Sequence, residues 1–136
     1  VTLKRYTVRR EVDDFFNNTA TVKETPDIIV VTLHDYTDKH KAQSNLFHKK
    51  SETVKFNSAE YKLDSVICRD KTQMHFCCGV TCNNKPYVFD GAVFSKIQKQ
   101  PWKEWINKDY DWAPRGSPYI WNFMKGYSML FYYRVS

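Results

Sequence analysis

Apolar and polar residues alternate along much of this chain with the period of two that is typical of β-strands. The alternation is clear at residues 52–56, and it predicts a further strand at residues 61–69. Residues 126–135 are aromatic and β-branched enough to predict a central strand. Residues 28–33 are continuously apolar, which predicts a strand buried on both faces. In the strand predicted at residues 61–69, we expect one face to carry Tyr61, Leu63, Ser65, Ile67 and Arg69.

A β-hairpin is predicted where residues 75–82 and 86–89 flank a pair of asparagines. Asparagine tolerates the left-handed backbone conformation that a two-residue turn requires, so Asn83 and Asn84 are expected to form the turn. This turn would pair Cys82 with Lys85 and continue the same register toward His75.

The remaining segments give weaker patterns. Residues 2–10 predict an edge-like strand, and residues 34–51 are polar and predict a loop. Residues 99–121 hold four tryptophans and predict irregular packed loops with one helical turn at residues 102–106. No repeat or linker divides the chain, so residues 1–136 are expected to form a single domain or part of one. The predicted fold class is mainly β (α+β), built on an antiparallel sheet.

Composition supports a globular protein. The chain is 42% hydrophobic and 16% aromatic, which supplies material for a core and argues against disorder. No apolar run approaches the roughly 20 residues that a membrane span needs, and no signal sequence is visible at Val1. We therefore expect an intracellular protein without a membrane partner, and a start at Val1 rather than Met suggests a piece of a longer chain.

The net charge and the cysteine content limit the classes of partner and of metal site to be considered. The net charge of +6 leaves nucleic acid open as a partner, although the basic residues are scattered and no nucleic-acid-binding motif is present. All four cysteines lie between Cys68 and Cys82 without a Cys-x-x-Cys pair, and adjacent Cys77 and Cys78 would point to opposite faces of a strand. We expect reduced, buried thiols, and predict no metal and no cofactor.

The predicted hairpin places a histidine and an aspartate on one face. With a two-residue turn, His75 and Asp90 lie diagonally across the ladder at a Cα separation of about 7 to 8 Å. An aspartate there can hold one imidazole nitrogen and leave the other free as a base. A three-residue turn would instead put Asp90 on the wrong face, and an ordinary surface histidine beside an Asp-Gly turn is the alternative. Cys77 is poorly placed as a nucleophile because its side chain would project parallel to that of His75.

Five segments in order resemble the C-terminal half of a ubiquitin-specific protease catalytic domain, in the papain-like cysteine protease superfamily. Residues 26–36 (PDIIVVTLHDY) are similar to the family's "LP…L…LKRF", and residues 61–67 (YKLDSVI) to its "Y.L.AVI". His75 stands where the family has "GHY". Residues 87–93 (YVFDGAV) are similar to "WY.FDD..V", and to the "IDGA" of coronavirus papain-like proteases. Residues 126–134 (GYSMLFYYR) are similar to "AY.LFY.R".

The resemblance implies a palm-like β lobe and a role for two residues. His75 would be the general base and Asp90 its orienting carboxylate, while a cysteine thiolate attacks the carbonyl after the C-terminal glycine of ubiquitin. It also implies ubiquitin or a ubiquitin-like protein as the partner.

The chain departs from the family at several points. Met74 replaces the glycine that usually precedes the histidine, and Gly91 replaces a second aspartate. The zinc-binding cysteine pairs are absent before Pro26, and no cysteine lies upstream of Cys68. The nucleophile is therefore not visible. The alternative is a non-catalytic, pseudoprotease-like interaction module that uses the Trp/Tyr-rich residues 102–121 as a partner surface.

Overall fold

The computed structural model describes residues 2–3, 10–11, 25–33, 48–72, 74–91, 97–124 and 128–136. In these residues the chain is mainly β, with one short helix, and the fold class expected from the sequence is confirmed. The predicted strand at residues 2–10 and the predicted loop at 34–51 lie mostly outside the described residues. Within them, His48–Lys49 is a short strand rather than loop, paired in parallel with Arg10–Glu11.

One eight-stranded sheet dominates the described part of the chain. The strands of the described residues are β1 (Thr2–Leu3), β2 (Arg10–Glu11), β3 (Ile28–Leu33), β4 (His48–Lys49), β5 (Thr53–Phe56), β6 (Ala59–Arg69), β7 (Phe76–Cys82), β8 (Lys85–Phe89), β9 (Gln98–Lys99), β10 (Asp111–Trp112), β11 (Trp121–Asn122) and β12 (Ser128–Arg134). In the large sheet the order is β1-β3-β12-β6-β7-β8-β9, with β5 paired to β6 off this path, and every pairing is antiparallel except that of β1 with β3. β10 and β11 form a small separate antiparallel pair, and β2 pairs with β4.

The last strand, β12, is central, as its aromatic and β-branched sequence predicts. It lies between β3 and β6 and pairs with both along its length. The prediction that β3 is buried on both faces is wrong: Val31 is fully buried, but Ile28 is 63% exposed. Only one face of β3 therefore contributes to the core.

A β-bulge changes which residues of β6 face the core. The register between β12 and β6 shifts at Phe131 and Tyr132, where Phe131 pairs with Ser65 and Tyr132 with Leu63. Because one extra residue reverses the alternation, Leu63 points inward on one side of the bulge and Cys68 on the other. The prediction that residues 61–69 keep one set of odd-numbered positions on a single face is therefore wrong beyond Leu63.

The tryptophan-rich segment packs against the sheet. Helix α1 (Trp102–Trp105) forms where the sequence predicts a helical turn. The indole of Trp102 lies over Gly79 of β7, and its Nε1 donates to the carbonyl of Val80 at 3.0 Å. All four tryptophans are buried and so belong to the core, whereas Tyr110 and Ile120 of the same segment are exposed. The use of residues 102–121 as a partner surface stays a prediction.

Candidate functional site

The imidazole of His75 contacts the carboxylate of Asp90. Nε2 of His75 lies 2.6 Å from Oδ1 of Asp90, and the side chain of Asp90 is fully buried whereas that of His75 is 27% exposed. No hydrogen bond involves Nδ1 of His75 among the described residues. The pair therefore has a buried carboxylate and a partly exposed imidazole whose second nitrogen makes no hydrogen bond to the described residues.

The hairpin of β7 and β8 brings the two residues together. Asn83 and Asn84 have φ of 50° and 62°, and Cys82 pairs with Lys85, so the predicted two-residue turn is confirmed. The ladder extends only to Cys78 opposite Phe89. His75 immediately precedes β7 and Asp90 immediately follows β8, so the contact forms just beyond the last paired residues rather than inside the ladder.

A second aspartate, Asp70, organises the loop that carries His75. No pattern in the sequence indicates this role. Oδ1 of Asp70 accepts hydrogen bonds from the backbone N–H of Met74 at 2.8 Å and of His75 at 2.7 Å. Oδ2 accepts from the backbone N–H and the hydroxyl of Thr72. The backbone N–H of Asp70 donates to the carbonyl of His75 at 2.8 Å, which closes the loop.

This arrangement favours the ionised form of Asp70. Burial by itself would raise the pKa of the carboxyl, but the hydrogen bonds from Thr72, His75 and Met74 together hold that pKa below its ordinary value. The backbone that positions His75 is therefore tied to an acceptor that keeps its charge at neutral pH.

Two aromatic side chains contact the imidazole of His75: Tyr119, which precedes β11, and Trp121, which lies in β11. The ring of Tyr119 stacks on that of His75 with centroids 4.5 Å apart and an interplanar angle of 24°. Trp121 lies tilted against the same ring at 6.0 Å. No pattern in the sequence indicates this contact, because more than 40 residues separate His75 from Tyr119 and the segment lacks a regular period.

None of the four cysteines has the properties of an activated nucleophile. Cys68 and Cys77 are buried, and burial raises the pKa of the Cys68 thiol to about 12 and that of Cys77 further. Burial also raises the pKa of Cys78, which lies on the opposite face of β7 from Cys77. Cys82 is exposed at the hairpin turn, contrary to the expectation that all four thiols are buried. With β7 extending between them, Cys82 lies roughly 20 Å from His75.

A buried lysine lies elsewhere in the core. Nζ of Lys50 donates to the carbonyls of Met124 at 2.8 Å and Ile106 at 3.3 Å, and the side chain of Asn107 bonds both the backbone N–H and the carbonyl of Lys50. Burial lowers the pKa of Lys50 to about 8. This cluster joins three segments of the chain and does not contact the His75–Asp90 pair.

Exposed apolar side chains lie next to the pair in the sequence. Met74, which immediately precedes His75, is 80% exposed, and Phe76 and Phe89 are exposed on the opposite face of the hairpin. Within the described part of the chain, no group of three or more His, Cys, Asp or Glu side chains is arranged to hold a metal ion. No helix in these residues has the length and apolar character needed to cross a membrane.

Comparison with known proteins supports the fold alone. No protein-family model and no curated protein sequence matches the chain. Its structure is similar to the crystal structure of an essential yeast splicing factor, with a TM-score of 0.59 at 11% sequence identity. The similarity covers 95% of this chain and 31% of the splicing-factor chain, so the arrangement of strands described above corresponds to about a third of that protein.

Proposed function

We propose that this chain is the histidine- and aspartate-bearing lobe of a deubiquitinating cysteine protease fold, acting inside the cell on isopeptide bonds after the C-terminal glycine of ubiquitin or a ubiquitin-like protein. The observation that carries the proposal is the 2.6 Å contact between Nε2 of His75 and the buried carboxylate of Asp90. It adds a geometric argument to the resemblance of five sequence segments to ubiquitin-specific proteases.

The contact is suited to base catalysis. Asp90 holds Nε2 as the N–H tautomer, which leaves the lone pair on Nδ1 to accept a proton from a thiol. The resulting thiolate attacks the carbonyl carbon, a C–S bond forms, and the C–N bond breaks as Nδ1–H gives its proton to the departing lysine amine. Water then attacks the thioester with His75 again as base, which releases the carboxylate and regenerates the thiol.

The thiol is the part that this chain does not supply. A nucleophile must come within hydrogen-bond reach of Nδ1, and a low thiol pKa favours the thiolate. Cys68 and Cys77 face the core, with thiol pKa values above the ordinary one, and Cys82 lies at the far end of β7. The proposal therefore requires a cysteine from outside these 136 residues.

A non-catalytic interaction module is the second candidate. The same absence of an activated thiol favours it, and one similar solved structure is that of a splicing factor. In that case the sheet and the exposed Met74 side chain would bind a protein partner without cleaving it. The buried tryptophans would contribute to the core rather than to the interface.

The first test uses ubiquitin with an electrophilic C-terminus, applied to the natural gene product that contains this chain. We expect covalent labelling of one cysteine, at a rate that falls at least 100-fold in His75→Ala because the base is lost. Asp90→Asn should also slow labelling strongly, since an amide no longer enforces the required tautomer. Cys77→Ser and Cys82→Ser serve as matched thiol controls and should label as fast as the parent protein.

Absence of labelling in the parent protein, or equal labelling of the parent and His75→Ala, would exclude the enzyme. Titration of isotope-labelled ubiquitin with the 136-residue chain, followed by NMR, then distinguishes the candidates. Saturable shifts without any covalent reaction support the interaction module with ubiquitin as its partner.

A further inference from the structure

We propose that Tyr119 is a positioning residue for His75, which holds the imidazole in the orientation in which Nε2 contacts Asp90 and Nδ1 has no hydrogen bond to the described residues. Only the purpose of that orientation, which is base catalysis by His75, rests on the proposed function. Its structural basis is the stacked contact between the two rings, with centroids 4.5 Å apart and an interplanar angle of 24°.

One hydrogen bond does not fix a ring. The bond between Nε2 of His75 and Oδ1 of Asp90 constrains the distance between these atoms, but the χ2 torsion of a histidine has a broad energy well, so the ring can still turn about its Cβ–Cγ bond. Such a turn moves Nδ1 away from the position in which it would accept a proton from a thiol. Tyr119 occupies one face of the ring and Trp121 lies tilted at 6.0 Å, so both restrict this rotation.

Tyr119 is itself held by its neighbours. Its backbone N–H donates to Oγ of Ser117 at 3.0 Å, and the hydroxyl of Ser117 donates to the carbonyl of Tyr119 at 3.3 Å. Its ring also lies 6.2 Å from that of Trp121, which is fully buried. The aromatic support is therefore built on local structure rather than on a freely rotating side chain.

The support is joined to the loop that carries His75. The backbone N–H of Lys71 donates to the carbonyl of Ile120 at 2.8 Å, and Nζ of Lys71 contacts Oδ2 of Asp111 at 2.8 Å. Both Ile120 and Lys71 are adjacent to residues of the site, namely Tyr119 and Asp70. The hydrogen bond thus ties the segment that carries Tyr119 to the loop that carries His75.

The stack also has an electrostatic consequence. A cation over the face of a tyrosine ring is attracted by the negative charge density of that face. During the proposed reaction His75 becomes an imidazolium beside a thiolate, and Tyr119 contacts that charged ring. Tyrosine and phenylalanine both provide this face, whereas an aliphatic side chain does not, which gives the proposal a sharp test.

The test is NMR of the 136-residue chain with labelled histidine, which requires neither ubiquitin nor a thiol. The ring protons of His75 should show nuclear Overhauser effects to the ring of Tyr119 and upfield shifts from its ring current. Tyr119→Phe should retain the shifts, whereas Tyr119→Leu should remove them and broaden the signals as the ring turns. Tyr110→Leu is the matched control, because the ring of Tyr110 lies tilted against that of Trp105 and does not contact His75.

Absence of these effects in the parent protein would overturn the proposal, and this outcome can be read even if Tyr119→Leu does not fold. Unchanged His75 shifts in a folded Tyr119→Leu, or equal loss in Tyr119→Phe, would also overturn it. In the gene product that reacts with the ubiquitin probe, Tyr119→Leu should slow labelling about tenfold to 100-fold, with recovery in Tyr119→Phe. If the probe never reacts but the NMR effects appear, the proposed function fails and the positioning role stands.

Discussion

At the scale of single residues, Asp70 determines where the backbone of His75 lies. Its two carboxylate oxygens accept bonds from three backbone N–H groups and one hydroxyl within residues 72–75. Hydrogen bonds to a charged acceptor contribute about 1.5 to 3 kcal/mol each when broken singly. Removing this acceptor therefore affects both the stability of the chain and the position of the imidazole.

We expect Asp70→Asn to lower the free energy of unfolding by about 2 to 3 kcal/mol at pH 7, because the amide nitrogen cannot accept the bonds from Thr72. Urea denaturation measures this change. Asp27→Asn is the control: Asp27 is 86% exposed, its ion pair with Arg134 is at the surface, and a change within about 0.5 kcal/mol is expected. Equal losses in both variants would contradict the role assigned to Asp70.

The pH dependence of Asp70 has a defined sign. Because the pKa of the carboxyl is lowered in the folded state, the stability it provides is fully present above its ordinary value of 3.8 and is lost as pH falls through the folded value. The difference between the parent chain and Asp70→Asn should thus shrink below pH 4. A constant difference down to pH 2 would be inconsistent with this assignment.

At the scale of secondary structure, α1 and β7 are in close contact because Gly79 has no side chain. A Cβ atom at this position would lie 2.6 Å from Cδ2 of Trp102, well inside van der Waals contact. Trp102 is fully buried and its Nε1 donates to Val80, so the indole has little room to move. The helix can therefore lie over β7 only where a glycine interrupts the row of side chains.

Gly79→Ala should destabilise the chain by about 2 to 3 kcal/mol through overpacking. Thermal or urea denaturation provides the measurement. Because the clash involves the indole, the smaller ring in Trp102→Phe should relieve it in part. In that background Gly79→Ala should lower the free energy of unfolding by about half as much. If the two substitutions simply add, the contact between Gly79 and Trp102 does not limit the packing.

At the scale of the whole molecule, ionisable groups in the core make stability depend on pH. Lys50 lies fully buried between carbonyls, and burial lowers its pKa from 10.5 to about 8. Between these values the unfolded chain binds a proton that the folded chain does not, so stability rises with pH. The buried Cys68 thiol acts in the opposite direction above pH 9, because its pKa is raised from 9.0 to about 12.

We expect the free energy of unfolding to increase by about 1 kcal/mol between pH 8 and pH 9 through Lys50 and to decrease at higher pH through the thiols. Urea denaturation across this range tests both parts. Lys50→Met should abolish the rise, and Cys68→Ala should extend it to higher pH. A rise of the same size in Lys50→Met would show that another group is responsible.

The sequence by itself determined the features that depend on local patterns. Alternation and β-propensity predicted β5, β7, β8 and β12, and the pair of asparagines predicted the two-residue turn, because backbone conformation and side-chain period are local properties. That turn was sufficient to infer that His75 and Asp90 meet, since the contact spans one hairpin. The roles assigned to the two residues stay predictions.

Only the tertiary structure decided the features that depend on distant segments. The bulge in β6 at Asp64, opposite Phe131 and Tyr132, reverses the inward face of β6, and strict alternation along this strand does not anticipate it. Burial of Lys50 and of the tryptophans depends on which elements cover them. The stacking of Tyr119 on His75 likewise arises where folding brings the loop that carries His75 against the segment leading into β11. Packing and hydrogen bonding between such segments are fixed by the folded geometry, which neither residue spacing nor composition records.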